Sequence, residues 1–152
     1  MIDQILAPEN MALAWEQVRA KKGGTGIDGV TLARWGRNWE ANLQRLRHQV
    51  KTNTYKPNRP KRFLVQKKGG GFRELSRLTV SDKVLQRAVL NVVDPVYEAR
   101  FLNCSHGYRR NRSVATAVQQ VITCRENGLR WVLDADIEAC FESLDHAMLS
   151  SL

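Results

Sequence analysis

Two prolines divide this chain into parts that must fold differently. Pro57 and Pro60, within "TNTYKPNRP", forbid a continuing helix, because each lacks a backbone donor and its ring clashes with the preceding turn. Upstream, the apolar residues recur at helical spacing. Asn10 is placed to cap a helix with Met11, Trp15 and Val18 on one face, ended by "KKGG" at Lys21 to Gly24. After the turn "TGIDGV", Thr31 is placed to cap a second helix, along which Leu32, Trp35, Trp39, Leu46 and Val50 form one stripe. Tryptophans at that spacing point to core packing rather than base stacking. Downstream of the prolines the pattern changes. Two short β-favouring runs, "KRFLVQ" and "FRELSRL", flank the glycine-rich "KKGGG", which is the signal of a β-hairpin.

Beyond the hairpin, a helix is expected from Ser81, with Val84, Leu85, Ala88, Val89 and Val92 inward, and Asp94-Pro95 is placed to start a separate helical piece. After the polar loop "NCSHGYRRNRS", Ser113 is placed to cap a long helix with Val114, Ala117, Val118, Val121 and Ile122 inward, stopped at Asn127-Gly128. The segment "LRWVLDADI" reads as a strand in which Val132, Asp134 and Asp136 share one face and Trp131, Leu133 and Ala135 the other. The layout is mixed α/β, of the α+β kind, on one domain's length of 152 residues. Cys104, Cys124 and Cys140 have no zinc-knuckle or redox spacing and are expected to be reduced residues in or near the core. No apolar run approaches a membrane span, and the N-terminus has no signal-peptide pattern. Cytosol is the expected compartment, with no membrane partner.

The charge is distributed unevenly. The net charge is +9, yet its sum matters less than its placement: from Arg45 to Arg73 there are ten Lys/Arg and no acid, whereas from Trp131 to Leu152 there are five acids and no Lys/Arg. A dense basic segment suits a polyanion, because each cation placed on a phosphate releases a condensed counterion; a solvated basic face is the plainer explanation. Two carboxylates on one strand face are a surface accident, an ion pair with Arg130, or oxygen ligands for a hard cation such as Mg²⁺, whose coordination a substrate's phosphates often complete.

Four segments, in order, resemble those of reverse transcriptases of the bacterial group II intron type. "DIEACFESLDH" is similar to their first catalytic motif, D-I-x-x-x-[FY] followed by Asp-His; Phe141 stands five residues after Asp136, while five after Asp134 is Ala139. "GGTGIDGV" resembles their N-terminal extension motif, "YKPNRPKRFLVQKKGGGFREL" their fingers hairpin, and "SHGYRRNRS" their S-x-G-F-R-x-x-R-S segment. The resemblance implies Asp136 as the catalytic, metal-binding carboxylate, the Ile137 carbonyl as a further ligand for Mg²⁺ or Mn²⁺, and Phe141 as the ring that excludes a 2′-hydroxyl. It implies Lys67 and Arg73 as the grip on the dNTP triphosphate. Arg109 and Arg112 are then candidates for template, primer or nucleotide contact, and Gly26, Asp28, Gly29, Arg59, Lys61, Arg62 and Lys68 for contact with the RNA template and primer.

By the same resemblance the fold is the N-terminal part of a right-hand polymerase: helix-rich fingers with a β-hairpin over about 1–128, then the first strand and helix of the palm over about 129–152. Such enzymes work with two metal ions, so several carboxylates must converge, and the family takes others from a [YF]-A-D-D turn. This sequence contains no two adjacent acidic residues. The expectation is therefore a truncated polymerase, an RNA-directed DNA polymerase segment inactive alone, with the C-terminal half of the polymerase or a second copy of itself as partner. A non-catalytic RNA-binding module of the maturase or defence-associated kind is the alternative.

Overall fold

The computed structural model describes residues 1–21, 24–66, 68–141 and 143–151, in two compact units, Met1–Phe101 and Leu102–Leu152. The first unit holds α1 (Ile2–Ile5), α2 (Pro8–Ala20), α3 (Leu32–Gly36), α4 (Trp39–Lys51), the hairpin β1 (Lys61–Gln66) and β2 (Phe72–Arg77), and α5 (Val80–Glu98). The second holds α6 (Val114–Glu126) and α7 (His146–Ser150). The mixed helix-and-hairpin content is the expected α+β class.

The core of the first unit is assembled from the helical stripes. Met11, Ala14 and Trp15 of α2 meet Trp35 of α3, Leu43 and Leu46 of α4, and Val80, Val84 and Ala88 of α5. Trp15 and Trp35 pack with ring centroids 4.5 Å apart and planes tilted by 41°, and Trp39 lies half-buried against the same cluster. Trp35 keeps its one polar atom satisfied, its Nε1 donating to Ser81 Oγ at 3.1 Å, as a buried indole must.

Local expectations met three corrections. Helix α2 begins at Pro8, not after Asn10, because proline's fixed φ and missing donor suit a first helical position. Asn10 instead ties α2 to its neighbours, its Nδ2 donating to the Ile5 and Ala88 carbonyls. The helix capped by Thr31, whose side chain does accept from Arg34 N, stops at Gly36, and a new one starts at Trp39. Asn42 Nδ2 donates to the Trp35 carbonyl at 2.9 Å, adding to the longer bond from Asn38 N at 3.4 Å across the break. Helix α5 starts one residue early, capped by Thr79, and runs through Pro95 without a second start.

The hairpin forms as expected, in antiparallel register from Lys61↔Arg77 to Gln66↔Phe72. Gly70 and Gly71 take φ of +91° and +76°, a region that costs any residue with a Cβ. Among its described residues only Val65 and Leu75 are half-buried.

In the second unit the Ser113 cap is present with a full reciprocal box to Thr116, but no described residue is buried. Val114, Val118, Val121 and Ile122, expected inward, are exposed: their spacing makes an apolar face, and nothing described in the unit covers it. Trp131–Ile137 carries no strand assignment, since a strand is defined by its ladder and the only ladder among the described residues is β1–β2. Cys104 and Cys140 are exposed and Cys124 half-buried, all as free thiols, so the expected core location fails for the first two. No helix among the described residues is long and apolar enough to cross a membrane.

Candidate nucleotide and nucleic-acid site

The hairpin sorts its charges by face. Strand alternation and the observed register place Lys61, Phe63 and Val65 with Arg73, Leu75 and Arg77 on one side, and Arg62 and Leu64 with Glu74 and Ser76 on the other. The first face therefore carries three cations and no acid. The Arg77 guanidinium carbon lies 5.2 Å from the centre of the Phe63 ring, a cation–π contact that holds the charge against the sheet. On the second face Arg62 faces Glu74 at 3.4 Å with both side chains well exposed, a pair of little energetic weight. Lys68 is exposed in the turn, as is Arg59 before β1. Lys67 lies outside the described residues. Arg77 escapes motif matching, but once the hairpin register is fixed, alternation alone puts it on the same face as Arg73, opposite Lys61.

"TGIDGV" is a closed turn. Gly26 N donates to the Val30 carbonyl at 2.9 Å and Gly29 N to the Gly26 carbonyl at 3.1 Å, while Asp28 Oδ1 accepts from Val30 N at 3.1 Å. Gly26 is buried, and a Cβ there would fall 3.3 Å from the Thr79 Cα at the start of α5 and 2.4 Å from the Asp28 carboxylate. Gly29 has φ +73°. The motif thus shapes a turn seated on the N-terminus of α5, with the Asp28 side chain exposed.

The loop before α6 is held by its own side chains. Arg109 Nη1 donates to the carbonyls of Leu102 at 2.7 Å and Ser105 at 2.9 Å. The His106 ring bridges Thr116 Oγ1 at 3.0 Å and Gln120 Oε1 at 2.5 Å, tying the loop to the first turns of α6. Tyr108 and Asn111 take left-handed φ of 56° and 58°. Arg112, half-buried, lines an open groove of about 620 Å³ together with Tyr108, Val114 and Val118. Arg109, singled out for nucleotide contact, is thus engaged in closing its own loop.

Asp136 is exposed, and its Oδ1 accepts from Ile137 N at 3.0 Å. The chain then turns through Ala139, at φ +45°, and presents the Phe141 ring at 83% exposure. Asp145 caps α7, its Oδ1 accepting from Ala147 N at 2.8 Å and Met148 N at 3.1 Å. Asp136, Ile137 and Phe141 thereby share one short solvent-facing stretch. Their carboxylate and carbonyl oxygens are hard donors that suit Mg²⁺ or Mn²⁺. Among the described residues no three His, Cys, Asp or Glu side chains gather closely enough to hold a metal by themselves.

Comparison with known proteins places these segments in context. The family described as "Reverse transcriptase (RNA-dependent DNA polymerase)" matches residues 65–151, a span that includes Arg73, Arg109, Asp136 and Phe141. Protein YkfC of Escherichia coli (strain K12) is 31% identical over 151 residues, covering 95% of this chain and 40% of that protein. The group II intron-encoded protein LtrA of Lactococcus lactis subsp. cremoris is also 31% identical over 151 residues, covering 97% of this chain and 24% of LtrA. Nuclear intron maturase 1, mitochondrial, of Arabidopsis thaliana is 36% identical over 67 residues, 43% of this chain and 9% of the maturase. The chain thus spans well under half the length of these relatives.

Proposed function

Because the chain belongs to the reverse transcriptase (RNA-dependent DNA polymerase) family, and to its group II intron type, we propose that it supplies the nucleotide grip, the sugar gate and one metal carboxylate of an RNA-directed DNA polymerase. The supporting observation is the exposed Asp136–Phe141 stretch, in which an aspartate and an aromatic ring stand at the family's spacing and are open to solvent. Residues 1–128 serve as fingers and 129–152 as the start of the palm.

In this reading Asp136 and the Ile137 carbonyl hold Mg²⁺ or Mn²⁺. Such an ion supplies charge stabilisation at the triphosphate and lowers the pKa of the primer's 3′-hydroxyl. Lys67 and Arg73 hold the incoming dNTP by its phosphates; an Arg fork grips phosphate oxygens bidentately. Phe141 stacks under the sugar and leaves no room for a 2′-hydroxyl. Arg59 before the hairpin, Lys61, Arg62 and Lys68 on it, Arg112 on the loop, and the Gly26–Gly29 turn with Asp28 contact the RNA template and primer, while Arg109, the candidate for nucleotide contact, braces the loop that carries Arg112. The remaining carboxylates come from a partner polypeptide or further sequence, so the 152 residues alone do not extend a primer.

The test is magnesium-dependent extension of a primed RNA by this chain, complemented in trans with the remainder of a group II intron-encoded relative. Asp136→Asn should lower extension at least about 100-fold while RNA affinity is retained. No extension by the complemented wild type, with RNA still bound, would overturn the catalytic reading. It would favour the second one, a non-catalytic RNA-binding module, which the similarity to a protein named as an intron maturase supports.

A further inference from the structure

A second cluster of cations lies outside the basic run of residues 45–73 and outside every motif. Helices α2 and α5, with the first residue of α3, border an open cleft of about 340 Å³. Lys21, Lys83 and Arg87 line it, with Val18, Leu32 and Leu90 as its apolar part, and no acidic residue lines it. Lys83 and Arg87 stand at i and i+4 on α5, where like charges repel and destabilise a helix. No carboxylate pairs with Lys21, Lys83 or Arg87 among the described residues, in contrast to Arg19 with Glu16 and Arg62 with Glu74. The fold thus maintains three uncompensated positive charges around one concavity.

Two of the three are also held in place. Arg87 Nε donates to Gln17 Oε1 at 2.6 Å, which fixes the guanidinium while its Nη nitrogens remain available as donors in fork geometry. Lys83 Nζ reaches the Gly24 carbonyl at 3.5 Å. Lys83 and Arg87 are half-buried, so less side-chain freedom is lost when an anion arrives. Four residues of helix rise about 6 Å, comparable with the step between successive phosphates on an extended strand. No aromatic ring lines the cleft, so it has no stacking platform for bases; its chemistry reads backbone, not sequence.

We propose that this α2–α5 cleft is a sequence-independent phosphodiester-backbone site for RNA, separate from the hairpin. It rests on the reading of the chain as one that works on RNA. The experiment is fluorescence anisotropy of a labelled, mixed-sequence, single-stranded RNA with the 152-residue chain, over a salt titration. Lys21→Ala/Lys83→Ala should weaken binding about tenfold at moderate salt and flatten the slope of log affinity against log salt by about 0.7 per contact removed. Neither side chain is in the core, so the unfolding midpoint should hold. Lys83→Gln, which keeps a long polar side chain, should give half of the slope change.

Parallel titrations with inorganic phosphate and with ATP separate the sources of the phosphate. If the double variant loses ATP binding and keeps RNA binding, the site takes a small anion and the proposal is overturned. Arg73→Ala separates the cleft from the hairpin. If Arg73→Ala weakens RNA binding and the cleft variants do not, the cleft proposal falls, an acidic protein surface becomes the occupant to test, and the RNA reading of the chain stands. If the wild type binds RNA without salt dependence, the cleft proposal falls; if it binds no RNA, both fall.

Discussion

Asp82 is a carboxylate almost fully buried at the start of α5, and its neighbours explain how the fold tolerates it. Thr79 Oγ1 donates to Asp82 Oδ2 at 2.6 Å, Asp82 N donates back to Thr79 Oγ1 at 3.1 Å, and the Tyr55 hydroxyl donates to Asp82 Oδ1. Burial, then the hydrogen bond to Asp82 and its charge, push the Tyr55 phenol well above its ordinary value of 10. A raised acid holds its proton more tightly folded than unfolded, so its contribution is complete below about pH 10 and is lost as the pH rises beyond that. Tyr55→Phe should therefore cost about 1–3 kcal/mol at neutral pH, because Asp82 loses a donor, and should flatten the fall in stability above about pH 10. Urea unfolding of both proteins across that range checks it; parallel declines would show that Tyr55 is not the titrating group. Half of this arrangement has a local signal, the spacing of Thr79 and Asp82 as cap and first-turn acid, which a helix start expected at Ser81 passes over. The other half has none: Tyr55 lies 27 residues away in a proline-flanked segment with no periodicity of its own.

Elements specified by adjacent residues are the ones the sequence makes plain. The hairpin follows from two β-favouring runs around glycines, and the glycines are required because Gly70 and Gly71 sit at positive φ. Gly71→Ala should strain that turn by about 1–2 kcal/mol, loosening the pairing of Gln66 with Phe72 next to it. Cross-strand NMR contacts between those residues should weaken while the helical core keeps its melting transition. Intact hairpin contacts in Gly71→Ala would mean that the turn can rearrange without its glycine. The break between α3 and α4 shows the limit of periodicity. Leu32, Trp35, Trp39 and Leu46 keep facing one core whether or not the helix pauses at Arg37–Asn38, so apolar spacing cannot report the pause. Its physical markers are Asn38, at φ −128°, and the Asn42 side chain that accommodates the Trp35 carbonyl.

At the scale of the molecule, the two units differ in how far their apolar residues are covered. In Met1–Phe101 the helical stripes converge on Trp15 and Trp35, whereas in Leu102–Leu152 the stripe of α6 and the side chains of Trp131, Val132 and Leu133 face solvent. The motif around Asp136 was legible because it is a pattern of residue types, but the strand expected to carry it was not realised, because strand formation depends on a partner that a single segment cannot specify. The apolar side chains exposed on α6 and at residues 131–133 are groups for a partner to cover, and the partner proposed for them is a second copy of the chain or a complementing polymerase segment. Hydrogen exchange on the 152-residue chain should therefore be uneven. Amides of α2 and α5 should exchange only through global opening, and those of α6 and of residues 131–137 through local opening, at rates about 100-fold faster or more. Raising the protein concentration, or adding the complementing segment, should slow exchange in the second unit and leave the first unchanged. Protection of α6 equal to that of α5 at high dilution would mean that the second unit is stable without a partner, and the exposed stripe would then need another explanation.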